Sequence, residues 1–562
     1  MQTIKTNKRY LSEVFNELPK GVINKKLADV GGTYLAMNCE YNYIIVCPTR
    51  DLVDSIEADK NNKYNIFKCY GGVTIHDFKK YCSTNTIKKI AVTYDSFAKL
   101  TNWIINPNEY RVLIDEYHLL LQNIGFREDA INNLFEVVNQ YDYVSYLTAT
   151  PFNCKYEISQ LKKLDHYVIE WEKEIKINTV RVKSSSPIKA VAKIIKEFLK
   201  NELHAPNRVG ELTKVEELYI FLNSVTSIKQ ICDITDIDED NVKICCSNKM
   251  KNKKIMEKYP ISSVVSPNKK INFFTSKCFQ GCNLFTNNGL VIVVSDANRE
   301  SMVTDLTSDL VQIAGRLRDN ETYQNCFRNI LIHIYSTKSD IMTDEDFESL
   351  MNDKKAEANL LISGYNKLSK DESKIILDRL NLTNDVITIK GDSLVYSELK
   401  EQFFRYWHEL RKCYKDGISI SGSYDNRFNI SKQSYASDFE FKLSKKTTIS
   451  YQQLIKDYYE SFDPEYELEY PEFKEYKKYL SLKKLNSLRF NKEKALQEIE
   501  KKKKLIAKIS KFEVGKFYTK SEITEITGTK STVITEFFDC TLTKVDGKNG
   551  YRLNNRKFSI VY

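Results

Sequence analysis

No stretch of the 562 residues approaches the roughly 20 consecutive apolar positions that a bilayer crossing requires. The opening run MQTIKTNKRYLSEVF has no apolar core followed by a small-residue cleavage site, so it is not a secretory signal. These two absences exclude a membrane partner and predict a chain that is not secreted and stays in the cytoplasm. There is no CxxC pair among the 13 cysteines; the nearest approaches are Cys245-Cys246 and Cys278-x-x-x-Cys282. In an unexported chain they read as buried thiols rather than zinc ligands or disulfides. Nothing after about residue 340 has the carboxylate clustering of a nuclease, and no internal repeat is longer than the α/β rhythm described below.

The chain has 85 basic and 75 acidic side chains, a net charge of +10. Of the basic residues 68 are Lys and 17 Arg, and Asn, Ile and Tyr are also abundant. An A/T-rich coding sequence produces the same bias, so charge carries information only where it clusters. With 42% hydrophobic, 12% aromatic and 28% charged residues the chain is globular, and its length suits three or four domains.

The first third alternates short apolar runs with amphipathic stretches. YNYIIVCP (41–48), KKIAVTY (88–94), YRVLIDE (110–116) and YVSYLTAT (143–150) are each followed by helical spacing. Unalternated apolar strands separated by helices imply a parallel sheet buried on both faces. A second block repeats the rhythm with VEELYIFLNS (215–224), NVKICCS (241–247), KINFFTS (270–276), GLVIVVSD (289–296) and NILIHIYST (329–337). VRVKSSSPIKA (180–190) is polar and reads as a linker between the blocks. Residues 340–470 are helical in pattern and rich in Tyr and Phe, and 473–511 read as one long basic helix, or two. In the last fifty residues Thr519 and Glu522 have capping-box spacing, Gly528 ends that helix, KSTVITEFF (530–538) starts another, and TLTKVDGKNGYRLN (541–554) turns at Asp546-Gly547. Helix, turn, helix and hairpin is the order of a winged helix.

The chemistry-bearing residues stand at the ends of apolar strands. Asp115-Glu116-Tyr117-His118 closes RVLIDEYH, placing two carboxylates at the sheet edge where α/β ligands bind. Alone, that is often only a solvated strand end. Leu147-Thr148-Ala149-Thr150-Pro151 closes another strand, Pro48-Thr49-Arg50 a third, and Gln312-Ile313-Ala314-Gly315-Arg316-Leu317-Arg318 opens a helix in the second block. In that order, over roughly residues 20–335, the chain resembles superfamily 2 helicases. The Gln-x-x-Gly-Arg-x-Arg form is most similar to the viral and phage origin-binding branch.

The resemblance implies RecA-like lobes and a role for each motif. Pro48, Thr49 and Arg50, with Thr93 in TYDSFAKL (93–100), would grip a nucleic-acid backbone. Asp115 would hold Mg²⁺ with the Thr33 hydroxyl, Glu116 would orient the attacking water, and His118 would couple the two carboxylates to Thr148 and Thr150. FLNSV (221–225) would open the second lobe, and Thr275, in TSKCFQGCN, would sense the nucleotide and touch DNA. Gln312 would line the lobe interface, and Arg316 or Arg318 would meet the γ-phosphate, as a charged phosphoryl transition state requires.

The phosphate loop departs from the family pattern Gly-x-Gly-Lys-Thr. With Thr33 at the Mg²⁺ hydroxyl, Gly31 is the second glycine, Gly32 stands where Lys is expected, and Asp29 where the first glycine is expected. The loop keeps its permissive backbone but lacks the point charge that neutralises the β- and γ-phosphates. A carboxylate ~4–6 Å from a polyanion costs on the order of 1–4 kcal/mol. Lys25 or Lys26 can supply the missing charge from the preceding strand end; alternatively both are exposed lysines and the scaffold serves as a clamp without hydrolysis. Outside the lobes, Tyr476, Tyr479 and Phe490 interleave with the lysines of 474–511, and Lys548 and Arg552 sit on the wing, a pattern suited to phosphates and unpaired bases. The same helix can equally present a solvated face over inward leucines, and a winged helix can equally bind protein.

The expected architecture is an α/β protein: lobe 1 over 1–178, a linker at 179–190, lobe 2 over 191–338, a helical accessory region over 339–510 and a winged-helix-like domain over 511–562. The expected activity is that of an ATP-dependent DNA helicase or translocase in replication of a phage or mobile element, located in the host cytoplasm. ATP and Mg²⁺ would be its cofactors, and single-stranded or forked DNA and replication proteins its partners. The alternative is a non-hydrolysing DNA-binding protein on the same scaffold. A restriction-type translocase subunit is a third reading, weakened by the missing nuclease cluster.

Overall fold

The computed structural model describes residues 1–28, 30–152, 158–172, 175–279, 282–369, 372–373, 386–437, 443, 447–461 and 463–557. Asp29 and the Gln280-Gly281 pair of the TSKCFQGCN motif therefore lie outside the described residues. The chain divides into two compact units, Met1–Ser247 with Met256–Lys446, and Asn248–Ile255 with Thr447–Tyr562.

The first unit holds two parallel sheets. The N-terminal sheet is built from β1 (Gln2–Thr6), β2 (Gly21–Asn24), β3 (Asn42–Cys47), β4 (Ile66–Cys69), β5 (Lys89–Thr93), β6 (Tyr110–Asp115), β7 (Tyr143–Thr148) and β8 (His166–Trp171). Their spatial order is β1-β8-β2-β7-β6-β3-β5-β4. The apolar runs are unbroken because both faces are covered. Ile44, Val46, Val112 and Ile114 enter one core, while Tyr43, Ile45, Cys47 and Leu113 enter the other. Each of these fully buried Val, Ile and Leu side chains contributes about 1.5–3 kcal/mol against exposure.

The second sheet contains β9 (Ile177–Ser184), β12 (Glu217–Phe221), β13 (Val242–Cys245), β14 (Ile271–Phe274), β15 (Gly289–Ser295) and β16 (Ile330–Tyr335), with a small β10–β11 ribbon (His204–Pro206, Leu212–Lys214) apart from it. A further hairpin, β17–β18 (Ile387–Lys390, Ser393–Tyr396), precedes the helix Glu398–Cys413. Two late strands, β19 (Phe428–Ile430) and β20 (Ser434–Ala436), both pair with β9 and complete the eight-stranded sheet. Two all-parallel sheets with crossover helices constitute the two RecA-like lobes.

Three expectations need correction. Residues 179–190 are no linker: β9 pairs in parallel with β16, and the helix Pro187–Leu199 follows it. The region after residue 339 is not simply helical, since β19 and β20 belong to the second sheet. The stretch 473–511 is three helices, Glu472–Tyr479, Leu482–Ser487 and Lys492–Ile509.

The second unit ends in a three-stranded antiparallel sheet of β21 (Phe517–Thr519), β22 (Phe538–Val545) and β23 (Lys548–Arg556), in the order β21-β23-β22. Thr519 and Glu522 form their capping box, and Gly528 closes the helix Lys520–Thr527 in the left-handed region at φ 72°. Asp546 and Gly547, both at positive φ, turn the hairpin. The expected helix over 530–538 is only a 3₁₀ turn at Ser531–Val533 and one turn at Ile534–Phe537.

Candidate nucleotide site

Because all strands of the first sheet run the same way, every strand-end motif lies on one edge. Along that edge the order is β2, β7, β6, β3, β5, which carries Lys25, Thr148, Asp115, Pro48 and Thr93 in turn. The carboxylates and phosphate loop thus cluster over β2, β7 and β6, while the Pro48 and Thr93 segments sit over β3 and β5.

Gly31, at φ 78°, turns the chain into the helix Gly32–Asn38. The Thr33 Oγ1 donates to Asp115 Oδ2 at 3.0 Å. Gly32 packs against β7: a Cβ there would stand 2.3 Å from Leu147 Cδ2. Leu147 is fully buried, so the position where a lysine is expected has no room for a side chain unless the core moves.

The two lysines ahead of the loop diverge. Lys25 is 8% exposed and its Nζ lies 3.3 Å from Glu116 Oε1. Its backbone is held by Thr148 O and by the Trp171 indole, which donates to Lys25 O at 2.7 Å. Lys26 adopts φ 53°, and its half-exposed Nζ pairs with Glu170 at 3.4 Å, away from the carboxylates.

Asp115 and Glu116 are buried. Glu116 itself is at φ 49°, and Tyr94 Oη donates to both the Asp115 and Glu116 carbonyls, at 2.6 and 3.2 Å. Thr148 Oγ1 gives its one proton to Glu116 Oε2 at 2.9 Å, so it accepts from His118 Nδ1 at 2.8 Å. The His118 proton therefore sits on Nδ1, and Nε2 is left as a buried acceptor with no partner among the described residues. Burial holds His118 below the ordinary histidine value against the pull of Glu116. Burial also raises Asp115, with Glu116 adding to it against Lys25. For Glu116 burial acts upward, but Lys25, His118, the Thr148 hydroxyl and Arg316 outweigh it and hold the carboxyl below the usual range. Glu116 is thus the ionised, acceptor-rich member of the pair.

The second lobe closes on the same atoms. Gln312 Nε2 donates to Glu116 Oε2 at 3.1 Å and lies 3.4 Å from Thr150 Oγ1. Arg316 is fastened behind it, donating to Gln312 O, Gln312 Oε1 and Cys282 O at 2.7, 2.9 and 3.3 Å. Lys25, Gly31, Thr33, Asp115 and Glu116 on one side and Arg316 and Arg318 on the other line a single cleft of about 1040 Å³. The donor set of the cleft, a hydroxyl and a carboxylate side by side, suits a hard divalent cation such as Mg²⁺.

The remaining predicted residues lie outside this cluster. Pro48 is buried, Thr49 caps the helix Arg50–Glu57 through Leu52 N, and Arg50 is exposed over the Tyr70 ring at 5.5 Å. Thr93 is buried and bonds Ser96 at 3.2 Å. Thr275 is buried against Cys245 O, and its neighbour Lys277 pairs with Asp51 of the first lobe at 3.0 Å. Lys548 and Arg552 are exposed on β23 of the second unit. Cys245, Cys246, Cys278 and Cys282 are free and buried.

Three contributors had no sequence signal. Arg127 interrupts its helix and donates to Pro48 O at 2.5 Å. Gln122 crosses the lobes to Ser308 and Tyr406 at 2.9 and 3.0 Å. Arg427, just before β19, donates to Lys26 O at 2.6 Å and lies 3.4 Å from Ala149 O, tying the accessory strands to two loops of the first lobe.

No protein-family model matches the chain, and no curated protein does. Among solved structures it is similar to Mss116p bound to ssRNA and AMP-PNP, at 16% identity and a TM-score of 0.39, over 59% of this chain and 69% of that one. The Mycobacterium smegmatis helicase Lhr bound to ssDNA and AMP-PNP matches at 14% and 0.38, over 58% of this chain and 44% of its own. T4 UvsW matches at 12% and 0.22, over 77% and 79%.

Proposed function

We propose that the cleft binds and hydrolyses a nucleoside triphosphate, ATP, and that the two lobes use its turnover to move along or open nucleic acid. The observation that carries this is the meeting of Lys25, Thr33, Asp115 and Glu116 from one lobe with Gln312 and Arg316 from the other on one set of hydrogen bonds. Thr33 and Asp115 would hold Mg²⁺, whose charge screens the phosphates when bound. The Gly31 and Gly32 N–H groups have no acceptor among the described residues and would face the phosphates. Lys25 supplies the cation that Gly32 lacks, and Lys26, facing Glu170, does not. Glu116, ionised and buried, accepts a proton from the attacking water. Arg316 or Arg318 meets the γ-phosphate, and Gln312 links that phosphate's presence to Glu116. His118, Thr148 and Thr150 couple the carboxylates to the lobe interface. Arg50, exposed, and the half-buried Thr49 would touch the strand, while the buried Pro48, Thr93 and Thr275 would shape the loops that carry it. Resemblance of the motifs to the phage origin-binding branch favours DNA, single-stranded or forked, and replication of a phage or mobile element as the setting.

The test is ATP hydrolysis by the full chain with and without single-stranded DNA. Glu116→Gln should lower DNA-stimulated turnover at least 100-fold while the protein still binds nucleotide. Turnover equal in the variant and the parent overturns the assignment. One observation favours a second reading, a clamp that binds DNA without hydrolysis. Lys25 is already committed to Glu116, so a phosphate must compete for it. That reading predicts salt-sensitive DNA binding indifferent to ATP, and a nucleotide-dependent shift in DNA affinity rules it out.

A further inference from the structure

The helix Lys492–Ile509 in the second unit has two faces of different chemistry. Ala495 and Ile499 pack with Phe473 and Tyr476, and Ile509 joins Phe512, Ile523 and Phe538. Beside that apolar stripe runs a second one of Lys501, Lys504 and Lys508, at spacing i, i+3, i+7, all exposed. With Lys484 and Lys502 they line a groove of about 730 Å³, whose other wall is Thr527–Thr529 and Phe537.

The groove is cationic after its internal pairs are counted. Glu498 and Glu536 also line it, but Glu498 is taken by Lys484 at 2.7 Å. Lys502 and Lys508 donate to the Tyr479 and Thr527 carbonyls at 2.8 and 3.1 Å, which fixes the walls. Neither Lys501 nor Lys504 forms an ion pair among the described residues. Like charges three and four residues apart repel along a helix face, so the stripe does not favour the helix that carries it. An anion lying in the groove reverses that repulsion. Lys501 and Lys508 are about 10 Å apart along the axis at about 1.5 Å per residue, so the charges are spread along the groove as an extended polyanion requires, not gathered at one point.

We propose that this groove binds the phosphate backbone of a nucleic-acid strand. The assignment moves the contact away from the wing, where Lys548 and Arg552 sit on an exposed hairpin beside a helix of a single turn. It does not depend on the nucleotide chemistry of the cleft.

The test compares binding of the full chain to a labelled single-stranded oligonucleotide across a salt series. Replacing both Lys501→Gln and Lys504→Gln should lower the slope of log Kd against log salt by about 1.4, two contacts at about 0.7 each. Lys501→Arg with Lys504→Arg keeps the charge and should bind like the parent, which separates lost contacts from lost structure. Basal ATP turnover should be the same in all of them, so failure here and failure of the ATPase reading are read on different signals. An unchanged slope in the glutamine variant overturns the proposal, whatever Lys548→Gln with Arg552→Gln does. Equal binding of polyglutamate and oligonucleotide also overturns it, because the groove would then be a surface for acidic protein.

Discussion

Lys25 holds one charge that Glu116 already uses and that a phosphate would claim on the proposed function. In the structure it neutralises Glu116 at 3.3 Å in a buried site. On the proposed function, a triphosphate entering beside Gly31 and Thr33 would present more negative charge, draw the ammonium away and free Glu116 to take a proton. Removing the lysine leaves a buried carboxylate unpaired, a change that costs about 3–5 kcal/mol in comparable sites. Lys25→Met should therefore lower both stability and nucleotide affinity, the latter at least tenfold, about 1.4 kcal/mol. Lys26→Met, outside the cluster, should stay within about twofold. Calorimetric titration with a non-hydrolysable analogue decides it, and the reverse order of damage would hand the role to Lys26. Because Glu116 is held below its unfolded pKa, its contribution to stability is present at neutral pH and is lost as acid carries the solution down through the folded value. Sequence alone could not separate the two lysines. What separates them is the left-handed backbone of Lys26, which turns its side chain to Glu170.

At the level of elements, the short helix Gly32–Asn38 is held at its far end by Lys89 on β5. Its Nζ donates to Ala36 O and Tyr41 O, each at 2.7 Å, and the side chain is fully buried. A cation there also meets the negative end of the helix. Burial lowers its pKa to about 8, with Cys39 pulling the other way. The unfolded chain binds more protons than the native one between that value and about 10.4, so the group's contribution to stability rises with pH across the interval. Lys89→Met should cost about 1–3 kcal/mol by stranding two carbonyls. The gap between parent and variant in denaturant unfolding should widen from pH 8 to 10; a narrowing gap contradicts the account.

The same scale shows where sequence reading stops. The central strands β3, β5, β6, β7 and β12 to β16 were legible as unbroken apolar runs, and the strand-end motifs as a series in one order; the outer strands β1, β4 and β8 were not. The polar look of 180–190 misled because Arg181 is buried by partners some 250 residues away: its Nε donates to Ser431 O at 2.8 Å, between β19 and β20. No local pattern announces those two three-residue strands. The long basic helix breaks at Arg489 and Phe490, both at positive φ, where neither glycine nor proline marks the turn; Ser481 and Asn491, the caps of the next two helices, were the available signal.

On the scale of the whole molecule, the polar bridges that join the lobes of the first unit among the described residues include Lys277 to Asp51, Gln122 to Ser308, Arg427 to Lys26 O and Gln312 to Glu116. If the proposed function holds, each is a contact that a bound nucleotide would strengthen or release. The second unit is a different matter. Its segment Asn248–Ile255 comes from the middle of the chain: Met250 N bonds Glu469 at 2.7 Å, Lys253 pairs with Glu465 at 2.5 Å, and Lys254 pairs with Asp457. A chain ending at residue 446 loses all three partners and should melt several degrees below the parent in a thermal scan, whereas a detachable tail would leave the first transition unmoved. The discontinuity also has a genetic consequence. A domain fed by two separated stretches cannot be gained, lost or traded by one crossover at the 3′ end of a gene, so recombination among relatives should preserve the pairing of residues 248–255 with 447–562 and exchange them together or not at all.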